Sequence, residues 1–428
     1  MYTTVTINNE VIQPHMTKAA QIMFSMETHL PTFQLSFIDS GGDTLSELPF
    51  TMGSPVKFTV WEAEIPGTLV STDKQPKELA SYNFIVSKMF GDDVANPNRV
   101  GGYITVIAVH PWQFFKDYTP HCYAPMKASE LIRKVVEDDS RGYELKMDDE
   151  SKDTDTTCKY PRYKTNESDL DFVLNKVLPF ATINNSPAYF FATDKNTILL
   201  SSFQELINKS VKAVLVPGQL DDGLKMEEYN SIVENFGLEN ALKYTGIQHA
   251  IGGGSDTDYV SKLLPKFYME DLGTHKLLAA NKRPTTKMSR GDSIFTGNKV
   301  PLKDTTFGGM NPTSSTVLMN RETDDQINLA INFGRDLDKM FRITLNTEYS
   351  ADLTVGAVVY LYVPTYQKTE LGTNAIHWMT GKWLIYQTKH TTYSSGDKIN
   401  TELVLVRPTF SMNEQKTTLA DVDSYLEV

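Results

Sequence analysis

The chain has 428 residues and is poor in cysteine, in long apolar runs and in net positive charge. Its two cysteines, Cys122 and Cys158, could pair, but a disulfide framework usually needs more sulfur and an oxidising compartment, so two ordinary thiols are expected. No apolar run approaches the roughly 18 residues that a membrane-spanning helix needs. The first residues lack the basic start and apolar block of a signal peptide, which predicts a soluble protein made in a cytoplasm.

The charge balance is acidic, with 53 acidic against 41 basic residues and a formal net charge of −12. A surface that grips nucleic acid would be basic, so sequence-specific nucleic-acid binding is not expected. A surface past which DNA slides stays compatible with this balance, because weak repulsion prevents sticking. Apolar residues make up 40% of the chain, enough for packed cores, and the length predicts two to four domains.

Motifs that carry catalysis or metal binding are missing. The sequence has no phosphate-binding GxxxxGK[ST] loop, no HExxH and no Cys/His cluster with zinc spacing. Acidic runs at 138–139 and 148–150 are typical of solvated loops, and GGGSD at Gly252 is typical of a flexible loop. Residues 121–122 (His-Cys) are adjacent, and neighbouring side chains rarely point at each other, while nothing nearby would orient a base toward the thiol. His390 lies in a predicted strand. We therefore predict no catalytic residues, no metal site, no cofactor and no enzyme activity.

The first 111 residues are predicted to be mainly β structure. Strands are expected at FQLSFI (33–38), GSPVKFTVWE (53–62), SYNFIVSKMF (81–90) and GGYITVIAVHP (101–111). The segment 17–26 contains good helix formers and is predicted to be a helix. Short antiparallel strands joined by turns make a small barrel or sandwich.

Residues 112–208 predict a small α/β domain. One helix within 124–139 would be capped by Ser129 and has an apolar face formed by Leu131, Ile132, Val135 and Val136. A second helix would be capped by Ser168, with acidic residues in its first turn and a stop at Pro179. A pair of strands is expected within 188–203.

The second half of the chain is less uniform. Residues 209–324 are predicted to be an insertion or further domain of uncertain fold, with a helix at 227–236 and a loop-rich stretch at 281–312. A helical pattern at 324–340 precedes strands at 341–346 and 356–364. The stretch 381–408 has two apolar runs around a Ser-Ser-Gly-Asp turn and is predicted to be a β-hairpin.

The last β segment repeats the first. In the same order, FQLSFI matches FRITLN, GSPVKFTVWE matches GAVVYLYVP, SYNFIVSKM matches KWLIYQTKH, and YITVIAVHPWQF matches TELVLVRPTF. The separation from Gly53 to Pro111 is similar to that from Gly356 to Pro408. Two unrelated β segments are the alternative, since short apolar strands resemble one another everywhere. The favoured interpretation is a duplicated small barrel, which predicts the same strand order in both copies.

Two stretches carry motifs of a known family. In YKTNESDLDFVLNKVLPFA, a Glu-Ser-Asp-x-x-Phe helix entrance is formed by Glu167, Ser168, Asp169 and Phe172. In the hairpin, Thr388 stands where valine is common, and the matching residues are Trp383, Ile385, His390, Thr401, Leu403, Leu405 and Arg407. These stretches resemble the baseplate hub proteins of contractile phage tails, a group that includes the late control protein D family and the N-terminal hub part of type VI secretion spikes.

The resemblance implies a mainly β fold with an α+β part. Two tail-tube-like antiparallel β-barrel domains are expected at 1–111 and 325–410, a small α/β domain at 112–208, a longer irregular insertion at 209–324, and a C-terminal tail at 411–428. The implied function is a structural baseplate hub. It would be a ring-forming, pseudo-sixfold homotrimer that joins the sixfold tail tube to the threefold central spike and surrounds the channel for DNA and tape-measure protein.

The resemblance also implies partners and a location. The partners would be the central spike protein, the tail tube or tube-initiator protein, and the baseplate wedge proteins, without stable membrane anchoring. The protein would belong to the virion, in the tail baseplate, and would be assembled in the cytoplasm of the host bacterium.

Two other function classes stay open. A distal-tail hub or adhesin of a non-contractile tail is one, and in such a protein Trp61 or Trp378 could stack on sugars, although packing is the expected role of both. A cell-wall hydrolase is the other, and the missing catalytic motif argues against it.

Overall fold

A computed structural model gives the fold. It describes residues 2–12, 16–39, 51–62, 77–92, 102–137, 143–147, 161–178, 181–183, 186–193, 197–218, 233–238, 241–250, 268–271, 276–279, 316–319, 341–364, 377, 379–393 and 399–407. Of the helix predicted at 227–236, only 233–236 are described, and 233–235 are helical. Other predicted features lie outside the described residues: the helix at 324–340, the loops at 252 and 281–312, the acidic runs at 138–139 and 148–150, Trp378 and the tail at 411–428.

Seven strands form the first β unit. They are β1 (Tyr2–Ile7), β2 (Glu10–Ile12), β3 (Thr17–Ser25), β4 (Thr32–Asp39), β5 (Pro55–Trp61), β6 (Glu78–Asp92) and β7 (Gly102–Val109). Their order in the sheet is β2-β1-β5-β6-β7-β4-β3, and all neighbours are antiparallel. The four strands predicted from the sequence of this unit are confirmed.

The helix predicted at 17–26 is wrong, because this segment is strand β3. Ala20, Ile22 and Phe24 are buried, whereas Lys18 is exposed, so the apolar period is two and not 3.6. The Lys, Ala, Gln and Met residues favour a helix by only a few tenths of a kcal/mol each. Pairing with a strand on each side outweighs that preference.

The next hundred residues form the α/β part. Its elements are α1 (Pro111–Phe114), β8 (His121–Tyr123), α2 (Ala128–Val136), β9 (Glu144–Met147), β10 (Arg162–Lys164), α3 (Asp169–Phe172), β11 (Thr182–Ile183), β12 (Ser186–Ala192), β13 (Thr197–Ser202) and α4 (Phe203–Ile207). Helix α3 continues into a π-helical turn, Val173–Val177. Strands β11, β12, β13 and β9 form one sheet, and β8 pairs with β10. The predicted helices and strands of this part are confirmed.

The two predicted helix caps have different outcomes. Ser168 caps α3 as predicted, because its Oγ accepts a hydrogen bond from the Asp171 backbone N–H at 3.1 Å. Helix α2 is instead preceded by Lys127, whose backbone N–H donates to the Glu130 carboxylate at 3.2 Å. This bond fixes the helix start ahead of Ser129, which is buried within the first turn.

The remaining strands come from the second half of the chain. They are β14 (Val211–Pro217), β15 (Ala241–Ala250), β16 (Tyr268–Asp271), β17 (Lys276–Ala279), β18 (Thr316–Met319), β19 (Phe341–Glu348), β20 (Val358–Leu361), β21 (Gly381–Tyr393) and β22 (Ile399–Arg407). Strands β16 to β18 form a small sheet of their own. The predicted strands at 341–346 and 356–364 and the two paired strands of the hairpin at 381–408 are confirmed, whereas its Ser-Ser-Gly-Asp turn and Pro408 lie outside the described residues.

Six of these strands close into a barrel, the second β unit. Their order is β21-β20-β14-β15-β19-β22, and β22 pairs back onto β21. Strands β14 and β15 come from the segment 209–324 that we predicted to be an insertion, yet sheet pairing places them in this barrel. The predicted class, mainly β with a smaller α/β part, is confirmed. The barrel is not wholly antiparallel as predicted, because β14 runs parallel to both of its neighbours, β15 and β20.

Candidate assembly surface

The two β units have the same strand order, as the predicted repeat requires. In the first unit β5, β6, β7 and β4 are successive neighbours, and in the second β20, β21, β22 and β19 are. Strand β3 flanks β4 as β15 flanks β19, so the repeat covers five strands. Strand pairing shifts two of the sequence matches by two residues. Phe33 corresponds to Ile343 and not to Phe341, and Lys382 corresponds to Asn83 and not to Ser81.

The same backbone turn precedes β5 and β20. Gly53 has a φ of +94° and Gly356 a φ of +83°, a region that residues with a Cβ rarely adopt. The Gly53 N–H donates to the Val86 carbonyl, and the Gly356 N–H donates to the Ile385 carbonyl, both at 2.9 Å. Val86 and Ile385 occupy equivalent positions in β6 and β21. Shared hydrogen bonds at a shared strained turn support the repeat independently of strand order.

Strand β3 joins the two units. Its residues 19–25 pair antiparallel with residues 387–393 of β21, while its other edge pairs with β4. This junction covers β21 so completely that Thr388 is only 1% exposed and Thr391 is buried. One strand of the first unit therefore pairs with the part of β21 that extends beyond its pairing with β20.

His390 lies in this junction and is packed, as the strand prediction implied. Its Nδ1 lies 2.9 Å from the Thr401 hydroxyl, and its ring meets the Tyr349 ring edge-on at 5.0 Å. Burial lowers the pKa of His390 to about 4, so the ring is neutral at pH 7. A buried imidazole held by a threonine has no access to a substrate, and we assign it no catalytic role.

The stretch of β6 that corresponds to residues 387–391 of β21 has no strand paired along one side among the described residues. Residues 88–92, here named the β6 edge, pair with β7 on one side, whereas β5 pairs no further along β6 than Ile85. No strand among the described residues lies along the other side. Met89 is 40% exposed and Phe90 55% exposed, whereas Thr388, the counterpart of Met89, is buried. An unpaired strand edge with exposed apolar side chains is a surface for another strand.

A row of side chains with exposed ends and a half-buried middle crosses the sheet at this edge. Its members are consecutive cross-strand partners on five strands, and none is buried: Phe90, Thr105, Ser36, Ala19 and Tyr393. Tyr103 and Ile38 form a further exposed pair beside this row, and the Lys18 ammonium lies 4.4 Å from the centre of the Tyr103 ring. The sequence signal for this surface is the pair Met89-Phe90. Neighbouring side chains in a strand point to opposite faces, so two adjacent apolar residues place an apolar side chain on each face, including the one exposed to solvent.

The hairpin residues that carried the family resemblance fill the interior of the second unit. Trp383, Ile385, Leu403 and Leu405 have no exposed surface. The Trp383 Nε1–H donates to the Met379 carbonyl at 2.8 Å, and the Arg407 guanidinium lies over the indole at 4.4 Å. These residues stabilise the barrel, so the motif reports on the fold.

The helix-entrance motif is also structural. Glu167 accepts a hydrogen bond from the Lys176 ammonium at 2.6 Å, and Asp169 forms a buried ion pair with Lys164. Phe172 is buried and stacks on Tyr123, with 5.5 Å between ring centres. The motif therefore fixes how α3 packs within the α/β part.

The other residues considered for chemistry are not assembled into a site. His121 and Cys122 lie exposed on β8, and the His121 ring contacts the Tyr123 ring at 4.4 Å. Within the described ranges, no group of three His, Cys, Asp or Glu side chains is placed to hold a metal ion. Trp61 packs, since its indole N–H donates to the Thr4 hydroxyl at 2.9 Å. In the part of the chain that the structure describes, no helix is long and apolar enough to span a membrane.

Comparison with known proteins identifies the fold. No family model and no curated protein matches the sequence. Among solved structures, the 43 kDa tail protein of prophage MuSo2 from Shewanella oneidensis aligns over 95% of this chain and 98% of its own, with 8% identity and a TM-score of 0.50. A tail protein from Neisseria meningitidis MC58 aligns over 95% and 96%, with 10% identity and a TM-score of 0.49.

A third structure comes from a secretion system. The Escherichia coli c3393 protein, a type VI secretion component with structural similarity to the T4 tail proteins gp27 and gp5, aligns over 97% of this chain and 78% of its own, with 7% identity and a TM-score of 0.45. The likeness to the Shewanella protein extends over nearly the full length of both chains, so the two share one architecture. This chain therefore has the fold of a phage tail protein, as its resemblance to the hub family implied.

Proposed function

We propose that this protein is a structural component of a phage tail, a baseplate hub that forms a ring around the tail channel. The observation that carries the proposal is the repeat: two β units share one plan, and one strand of the first pairs directly with a strand of the second. Molecules built from repeated units that contact one another through fixed surfaces assemble readily into closed rings. The tail-protein fold supports the same conclusion.

In this proposal three copies present six β units, which adapts a sixfold tail tube to a threefold central spike. The first tube-like domain covers 1–111, the α/β domain 112–208, and the second tube-like domain 325–410 together with β14 and β15 from 209–324. The ring stacks on the tail tube or tube-initiator protein, and the α/β parts meet the central spike and the baseplate wedge proteins. The protein then belongs to the virion and is assembled in the host cytoplasm.

The proposed role is mechanical and not catalytic. The formal net charge of −12 suits a channel through which DNA or a tape-measure protein passes without sticking. The packed state of His390 and the structural roles of both family motifs fit this role, because most of the family-like residues are buried and stabilise their domains.

The proposal is tested by oligomeric mass and by particle composition. Sedimentation equilibrium of the purified protein, alone and mixed with the central spike protein, is expected to show species with three times the 48.2 kDa chain mass. Purified tails are expected to contain the protein at the baseplate end in immunogold micrographs. A protein that stays monomeric with and without the spike, and that is absent from tails, would contradict the proposal.

A further inference from the structure

We infer that neighbouring copies join head to tail by pairing the β6 edge of one copy with the outer edge of β15 in the next. This inference rests on the proposed ring and names the surface that builds it. Inside one chain, β3 of the first unit pairs with β21 of the second. The same junction can form between two chains if the strand of the second unit that corresponds to β3, and the strand of the first unit that corresponds to β21, each have an open edge.

Strand β15 is the counterpart of β3. Gln21 pairs with Gln34 in the first unit, Gln248 pairs with Thr344 in the second, and Gln34 and Thr344 are themselves equivalent. Both strands contain an irregularity in their register close to this point. Both are also antiparallel to the next strand of their unit. The correspondence therefore covers residues 21–23 of β3 and 248–250 of β15, up to the irregularity between Thr245 and Gln248.

The outer edge of β15 is open where the inference needs it. Strand β14 pairs with residues 241–244 of β15 and stops there. Along residues 246–250, on the side away from β19, no strand is paired among the residues that the structure describes. Gly246 and Gln248 are exposed. In β3 the corresponding stretch is the one that pairs with β21.

The β6 edge is the counterpart of the part of β21 that β3 covers. Lys88 and Gln387 hold the same place, each following the register shift in its strand. This places Met89 at the position of Thr388, which β3 buries. Within the ranges that the structure describes, the chain thus has an open edge of each kind. Pairing them between copies buries Met89 and satisfies backbone groups that would otherwise be free to pair wrongly.

Transferring the internal register predicts the contact between copies. Within the chain, β21 and β3 pair Lys389 with Met23, His390 with Ile22 and Thr391 with Gln21. The corresponding pairs between copies are Phe90 with Ala250, Gly91 with His249, and Asp92 with Gln248. Because the two edges differ, the contact is heterologous and closes into a ring when the rotation between units allows it.

Disulfide cross-linking tests this register. In full-length protein with both native cysteines replaced by serine, the variant F90C/A250C places two cysteines on directly opposite positions, within disulfide reach. The control F90C/Q248C moves one cysteine two residues along the same face, about 7–8 Å away and out of reach. Mild oxidation is expected to link most F90C/A250C chains into covalent dimers and trimers on denaturing gels, with at least fivefold less linking in the control.

The outcomes separate this inference from the proposed function. A trimer that forms without cross-linking above the control, or a link that stays within one chain, overturns the edge pairing and leaves the ring standing. A protein that never oligomerises in any variant contradicts the ring itself.

A second pair of variants tests the contact without cysteines. M89D is expected to weaken self-association at least tenfold, because it places a carboxylate where the contact buries a side chain. V11D, on the exposed face of β2, is expected to leave association unchanged.

Discussion

The two β units follow one plan with different side chains. Three phenylalanines pack together in the first unit, with Phe33 lying 5.4 Å from Phe84 and 5.5 Å from Phe58 between ring centres. The equivalent positions in the second unit hold Ile343, Leu361 and Trp383, which are equally buried. One large and two smaller side chains replace three of medium size, which keeps the filled volume similar. The plan thus depends on strand order, turn geometry and total core volume.

The units differ most in what covers them. The α/β part packs against the turn before β20, where a Cβ on Gly356 would lie 2.7 Å from Cζ of Phe191. At the equivalent Gly53, a Cβ would meet only the Phe114 ring at 3.8 Å. In the same way β3 covers β21, whereas the β6 edge is open. The surroundings of each unit, and not its own fold, therefore decide which equivalent residues are buried.

The largest expected effect separates the two glycines. G356A combines a strained positive φ with overpacking against Phe191, and we expect it to lower the free energy of unfolding by about 3–4 kcal/mol. G53A adds strain alone, since its Cβ would make only ordinary van der Waals contact with the Phe114 ring, and is expected to cost about 1–2 kcal/mol. Urea unfolding of both variants measures the difference. Equal losses would mean that Phe191 does not hold the turn before β20.

The second prediction concerns how the free energy of unfolding depends on pH through His390, which is buried in β21. Because the pKa of His390 is lowered to about 4 in the folded protein, the unfolded chain binds more protons between pH 4 and about 6.5. The stabilisation is therefore complete above the unfolded pKa and is lost as the pH falls toward 4, by up to about 3 kcal/mol.

The matched variant is H390Q, which removes the titrating group. Its loss of unfolding free energy between pH 7 and pH 4 is expected to be smaller than that of the wild type, because all other groups titrate in both proteins. The first unit has Gly91 at the position equivalent to His390, so this position adds no pH-dependent contribution to the free energy of unfolding. Identical pH slopes for the two proteins would show that His390 is hydrated in solution.

Most strands of this fold could be predicted from the sequence, because a strand's alternating apolar pattern is a local feature. Alternating runs such as FQLSFI and FRITLN, and the matching glycines before β5 and β20, predict the repeat without knowledge of pairing. Ser168 likewise predicts its own helix, because a cap acts within one turn.

The missed features depend on partners far away in the chain. Strand β3 resembles a helix until its pairing with β21, more than half the chain away, is known. Strands β14 and β15 join the second unit across the segment 251–340, so their sequence gives no hint of membership. The β6 edge is recognisable as a surface only when its covered counterpart in β21 is seen. Tertiary context overrides local preference in each case.

Electron microscopy of the assembled protein would show whether first and second units alternate around a closed ring. Averaged end-on views are expected to show a closed ring of three chains with six similar lobes, because each first unit alternates with a second unit through two equivalent junctions. A twofold dimer that joins two copies of the same edge, or a ring in which first units contact only first units, would contradict the account.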